Sequence, residues 1–303
     1  VLDPGFIPFG VWMESYLKDA KHPVAIAVER DNGRVSVRHT FIHGTPEMAE
    51  ADYRYVERYV KFLLWSVGGF RIYVCGCPEI AQKLQEVKAR ATAIKPDFQL
   101  NCKVILNKQE LAELFSNICH DLNYATVYSH AGLFHKGDDI QHAPTGDKIT
   151  ITMAGSLPGN IRSACFDGDG MKLQATRIVE EGKAVAYYGD NRFGQYLGEV
   201  PTGSLRCVQV ECGTACPRCL TAAPYLEVLS MSGLQVDFYN DYIGGEVRLA
   251  YYNDGTGIQP VTGISISGKL SEVLSCIRLS KEVAVSDDYV GPAKAILSGM
   301  QIF

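Results

Sequence analysis

The run PYLEVLSMSGLQVDFYNDYIGGEVRLAYYNDGTGIQPVTGISISGKLSEVL, Pro224 to Leu274, decides the fold. Three short β-rich runs lie in it: Tyr225–Met231, Glu246–Tyr252 and Val261–Ile266. Gly, Asn and Asp bound each of them, which predicts strands joined by tight turns. Gly244-Gly245 lets the backbone bend, or lie close against a neighbour, just before the second run. A short helix follows at Lys269–Cys276, and a last strand at Lys294–Leu297. Upstream, the same texture recurs at Lys148–Met153, Gln174–Val179, Ala184–Tyr188 and Leu205–Val210. Asp167-Gly168-Asp169-Gly170 and Glu180-Glu181-Gly182-Lys183 read as hairpin turns, and Thr202-Gly203 as a tight turn after Pro201. From Gly132 onward the chain therefore reads as antiparallel, sandwich-like or barrel-like.

Before Gly132 the rhythm is different. Leu111, Leu114, Phe115 and Ile118 recur at helical spacing and predict a helix over Lys108–Asp121. Asn107 is its expected N-cap, with Glu110 close to a capping-box position. Further forward, Val24–Arg30 and Val35–Ile42 flank Asp31-Asn32-Gly33, a strong hairpin signal. A helical pattern opens at Pro46 and is expected to run to about Val67, where Gly68-Gly69 stops it. Phe70–Val74 reads as a strand, and Pro78 opens another helix bearing Ile80, Leu84 and Val87. The front is thus β-β-α-β-α over residues 1–88. Lys95-Pro96-Asp97 marks the boundary with a second domain over 94–303. The expected class is α+β, a small α/β segment followed by a mainly antiparallel β domain.

The 303 residues are 47% hydrophobic and 21% charged, enough to bury a substantial core. A formal net charge of -5 and the lack of a basic stripe argue against nucleic acid as a partner. No apolar run is long enough to span a membrane. The opening Val1-Leu2-Asp3-Pro4-Gly5 lacks the charged and apolar regions of an intact signal peptide. The ten cysteines are expected to be mostly reduced, buried residues of a cytoplasmic protein. Cys212, Cys216 and Cys219 form Cys-x-x-x-Cys-x-x-Cys, the spacing of an iron-sulfur site, and three thiolates could also hold zinc. Their position in a loop between β-runs counts against the iron-sulfur reading.

Several segments together resemble the TldD/PmbA family. They are Asp121–Gln141, Phe166–Arg206 with its acidic Gly turn and Thr-Gly turn before Arg206, and the opening run Pro224–Leu274. Its Gly-Gly-Glu, Pro-Val-Thr-Gly and Ser-Gly are the most specific part. The closing GPAKAILSGMQIF is similar to the family's final strand. The resemblance implies a cytoplasmic peptidase assembly. In it, TldD-like subunits bear zinc on His-Glu-x-x-x-His plus a later Cys, and TldE/PmbA-like partners lack those ligands. Two histidines on one helical face can hold zinc, and the glutamate can act as a base on bound water.

This sequence lacks His-Glu-x-x-x-His. The helix where it is expected offers His120, followed by Asp121 rather than Glu, and position 124 is Tyr. His130, His135 and His142 stand too far on to share that face, and are expected at the surface or at caps. Ser286–Pro292 holds no Cys. No catalytic, cofactor-binding or metal residue is therefore assigned to this chain, and the zinc is expected in a TldD-like partner. The expected partners are that subunit, as a heterodimer, or a second copy as a homodimer, with a peptide as substrate. Residues 1–88 resemble, more loosely, the leading segment of ROK-type sugar-kinase-like proteins, which offers a sugar or nucleotide binder as an alternative. Their Asp-Gly-Gly-type phosphate loop is missing here, and Gly68-Gly69 follows a helical pattern, the wrong context for phosphate.

Overall fold

β12, Tyr242–Asn253, is the longest strand among the described residues, and the larger sheet is assembled around it. The structure is a computed structural model. It describes residues 24–31, 34–41, 63–67, 70–74, 85–86, 88–97, 100–286 and 288–303, with backbone alone up to residue 74. The chain divides into two compact units, Val1–Thr92 and Ala93–Phe303.

In the first unit, β1 (Val24–Asp31) and β2 (Arg34–Phe41) pair antiparallel, closing at Asp31 opposite Arg34. β3 (Leu63–Val67) lies parallel to β2, and β4 (Phe70–Val74) antiparallel to β3. The end of the helix expected to reach Val67 is thus a strand. A short apolar run such as Leu63-Leu64-Trp65 satisfies either period, so periodicity could not separate the two. Val67 pairs with Phe70, so the strand runs up to the last residue expected to be helical. Residues 85–86 and 88–92 are helical. The helical pattern from Pro46 to Phe62, Gly68-Gly69 and the opening of the last helix at Pro78 lie outside the described residues.

The second unit opens with β5 (Lys103–Asn107), which runs directly into α1 (Lys108–Asp121). After a break, α2 (Tyr124–Tyr128) follows. Next come β6 (Ile151–Ala154), β7 (Thr176–Glu180) and β8 (Lys183–Ala184), then α3 (Asn191–Leu197), β9 (Cys207–Val210) and α4 (Pro217–Thr221). β10 (Tyr225–Met231) and β11 (Gln235–Asp237) precede β12. β13 (Ile258–Val261), β14 (Ile264–Lys269) and α5 (Leu270–Cys276) come after it. The chain ends in β15 (Arg278–Leu279), β16 (Val283–Val285), β17 (Tyr289–Pro292), β18 (Lys294–Leu297) and β19 (Gln301–Ile302).

These strands form two sheets. The nine-stranded one runs β15-β18-β5-β10-β12-β14-β19, with β11 and β13 also on β12. The six-stranded one runs β16-β17-β9-β6-β7-β8. Most pairs are antiparallel, but β5–β10 and β9–β17 are parallel. The class is α+β, as expected.

α1 packs against β5 and β18 of the larger sheet and against β9 and β17 of the smaller one. Leu111, Leu114, Phe115 and Ile118 are wholly buried there. Each such side chain contributes about 1.5–3 kcal/mol through removal from water. Asn107 occupies the N-cap position of α1, but its side chain makes no cap bond. It ends β5 and instead donates to the Val228 carbonyl at 2.6 Å, tying β5 to β10. The run expected over Val261–Ile266 divides into β13 and β14 at Gly263, where φ is +65°. Gly244 and Gly245 meet the close-approach expectation: a Cβ at Gly244 would lie 2.4 Å from the Ile266 carbonyl oxygen, and one at Gly245 2.5 Å from that of Gly233. Ala184–Tyr188 is expected as a strand, but only Lys183–Ala184 forms one, and Tyr188 makes a single bridge to Asn123.

Candidate functional site

α1 ends where a zinc-binding helix would need to continue. The backbone leaves helical geometry at Leu122 and Asn123, and Asn123 then caps α2 by accepting from the Ala125 N–H at 3.0 Å. Counted from His120, the second histidine of His-Glu-x-x-x-His falls at position 125, one beyond Tyr124, and that residue is Ala125. Asp121, in place of the glutamate, is buried at 5% exposure. Its two carboxylate oxygens accept the backbone N–H groups of Leu133 at 3.0 Å and Phe134 at 2.7 Å. Tyr124 is buried and donates its hydroxyl to the Val200 carbonyl at 2.8 Å. The residues at the helix end are thus committed to loop anchoring and capping, and they do not fit a zinc ion. Among the described residues, no three His, Cys, Asp or Glu side chains gather as a metal site.

A cavity of about 300 Å³ opens beside this helix end. Ser116, Cys119 and His120 reach it from α1, Met153 from β6, and Val208 from β9. Arg162, Tyr188, Leu205, Arg206 and Asp288 complete its lining. His120 is exposed, with Nε2 3.5 Å from the Thr126 hydroxyl. Burial pushes the Cys119 thiol and the Tyr188 phenol well above their ordinary values, so both stay neutral. Among the described residues, no salt bridge engages the Arg162 or Arg206 guanidinium. The lining therefore pairs two free cations with one carboxylate, Asp288, and is suited to an anionic group.

The segments before the cavity are held by Asp167 and Thr202. Asp167 Oδ1 accepts from Asp169 and Met171, and Oδ2 from the Ser204 N–H. Slight desolvation raises its carboxyl, but these backbone donors outweigh that and hold it below the usual value. The Thr202 hydroxyl bridges Gly189 and Gly203, and Gly203 has φ +83°, the tight turn expected after Pro201. This clamp sets the approach of Arg206 to the cavity.

The other sequence candidates are dispersed. His130, His135 and His142 are all exposed, and His135 pairs with Asp138. Of the eight described cysteines only Cys119 and Cys207 are buried, so the expectation of mostly buried cysteines is corrected. Cys75 and Cys77 lie outside the described residues. Cys216 and Cys219 come together, while Cys212 turns its sulfur to the Glu282 carbonyl at 3.9 Å. Spacing pointed to neither Arg162 nor Asp288. In the sequence Arg206 stands out only as the Arg that follows the Thr-Gly turn.

Residues 99–302 match the family described as the PmbA/TldA metallopeptidase C-terminal domain. The chain belongs to that family. No curated protein matches. Among solved structures, this PmbA/TldA-family chain is similar to TldE from Thermococcus kodakarensis, at 15% identity and a TM-score of 0.64, over 79% of this chain and 61% of that one. It is also similar to two proteins described as candidate modulators of DNA gyrase. The one from Bacteroides thetaiotaomicron gives 14% identity and a TM-score of 0.59, over 74% of this chain and 51% of that one. The one from Thermotoga maritima gives 14% identity and a TM-score of 0.57, over 92% of this chain and 61% of that one. The chain spans only about half to three fifths of the length of these structures, and at such identities they establish the fold of the family member alone. Among the described residues, no helix of this family member is long and apolar enough to cross a membrane.

Proposed function

We propose that this chain is a non-catalytic, TldE/PmbA-like subunit of a cytoplasmic, zinc-dependent peptidase assembly whose zinc is carried by a TldD-like partner. One observation carries the reading. The segment from Asp121 to Ala125, where a metal-bearing helix would continue, is given over to anchoring and capping. Mixing the chain with a TldD-like protein tests it. The expected result is co-elution as a heterodimer and peptidase activity only in the mixture. Full zinc-dependent activity from this chain by itself, or a stable homodimer that ignores the partner, would overturn it.

The cavity supplies the peptide-facing part of the proposal. Guanidiniums recognise carboxylates in a planar, bidentate way, so Arg162 and Arg206 suit the C-terminal carboxylate of a peptide. Charge-assisted hydrogen bonds are worth about 1.5–3 kcal/mol, so free-acid peptides should bind about tenfold or more tighter than their amides. Arg162→Met with Arg206→Met should erase that difference in a calorimetric titration. Equal binding of acid and amide by the unaltered chain would remove this part of the reading and leave the subunit role standing.

A further inference from the structure

Cys216-Pro217-Arg218-Cys219 lies in the connection from β9 to β10, and none of these residues lines the cavity. Pro217 opens α4 and Cys216 is its N-cap residue, with φ −83° and ψ 160°. The backbone N–H groups of Cys219 and Leu220 both point to the Cys216 carbonyl, at 2.9 and 3.2 Å. This turn brings the two sulfurs to 3.0 Å. A disulfide needs about 2.05 Å, so bond formation asks for a shift of only about 1 Å.

The platform beneath is packed and hydrogen-bonded. Ala215 and Leu220, which flank the pair, are buried in a small apolar cluster with Ile105, Tyr225 and Ile296. The Ala215 N–H donates to the Leu279 carbonyl at 2.9 Å, and its own carbonyl accepts from Lys281 at 3.0 Å. The pair itself faces outward: Cys219 is exposed and Cys216 half-buried. Its surroundings are cationic. Lys103 Nζ donates to the Cys219 carbonyl at 2.6 Å, and Arg218 is exposed between the two cysteines. The Cys216 thiol is held below its ordinary value, first by the hydrogen bond from the Cys219 thiol and then by the backbone N–H groups of Cys219 and Arg218. Cys212 takes no part, and its thiol is raised by burial.

We propose that Cys216 and Cys219 form a thiol–disulfide exchange site for low-molecular-weight disulfides, with Cys216 as the nucleophile and Cys219 as the resolving thiol. The Cys216 thiolate attacks one sulfur of a disulfide RSSR, forming Cys216–S–S–R and expelling RS⁻, which takes a proton from solvent. Cys219 then loses its proton to solvent and attacks the Cys216 sulfur. The Cys216–Cys219 disulfide forms and the second RS⁻ leaves. The dithiol gives up two electrons and two protons, and RSSR becomes two RSH. Neither a partner nor zinc takes part, so the site stands or falls apart from the subunit role.

The test equilibrates the full chain with oxidised and reduced glutathione, traps free thiols with a maleimide, and maps cysteines by mass spectrometry. The expected product is a single disulfide linking Cys216 and Cys219. Cys219→Ser should stall as a glutathione adduct on Cys216, and Cys216→Ser should abolish the reaction. Under limiting glutathione disulfide, Cys216 should react about tenfold or more faster than the exposed Cys165. Unaltered circular dichroism of both variants shows that the fold survives. A pair that stays reduced across the glutathione series overturns the proposal, as does a Cys219→Ser adduct no faster than that on Cys165.

Discussion

Phe115→Ala is expected to lower the unfolding free energy of the second unit by about 3–5 kcal/mol. Phe115 is wholly buried on α1, and its ring stacks on Tyr289 of β17 at 6.3 Å between centroids, 6° from parallel. Helix α1 touches both sheets, so a cavity at this position loosens them together. A loss of that size is a large part of the stability of an ordinary domain, about 5–15 kcal/mol. Urea unfolding followed by far-UV circular dichroism measures it. Tryptophan fluorescence would not, because Trp12 and Trp65 both belong to the first unit. Phe115→Leu, which keeps most of the volume, should be much milder. Similar midpoints for the two variants would mean that α1 is not the shared core of the sheets.

Asp121→Ala should destabilise by about 2–4 kcal/mol, because it strips a charged acceptor from two backbone donors, Leu133 and Phe134. Asp121→Asn keeps one acceptor and should lose about half as much. Function separates this from a catalytic role. In the proposed assembly, peptidase activity measured well below the unfolding midpoint should survive Asp121→Asn. A carboxylate acting as base would instead give an inactive assembly at unchanged stability.

How far these features were legible in the sequence depends on their scale. α1 was readable because four apolar residues repeat over fourteen positions, enough to fix a period. Asn107 looks like a side-chain cap in the sequence because local pattern does not disclose that β5 leads straight into the helix and turns Asn107 toward Val228. β13 and β14 read as one run because Gly263 turns the chain within an unbroken β-rich stretch. β15 and β19 have two residues each, too few for alternation to register. The end of the helix expected up to Val67 is a strand because pairing with β2, a non-local effect, settled an ambiguous apolar run. The absent zinc motif was plain in the sequence. The cavity was not: Arg162, Arg206 and Asp288 come from three separate connections, and no spacing rule links them. Cys216 and Cys219 were legible as a spacing, but only the fold separates them from Cys212.

β5 lies between β10, parallel to it, and β18, antiparallel to it. One of its flanks is covered by residues 225–227 and the other only by residues 294–297. During synthesis this apolar strand therefore stays without one neighbour until nearly two hundred further residues have been made, a delay set by the β5–β18 separation. An unpaired edge of that kind invites association with other nascent chains. The protein's yield in a cell should then depend on how fast the ribosome delivers β18, and on whether a chaperone shields β5 until it arrives.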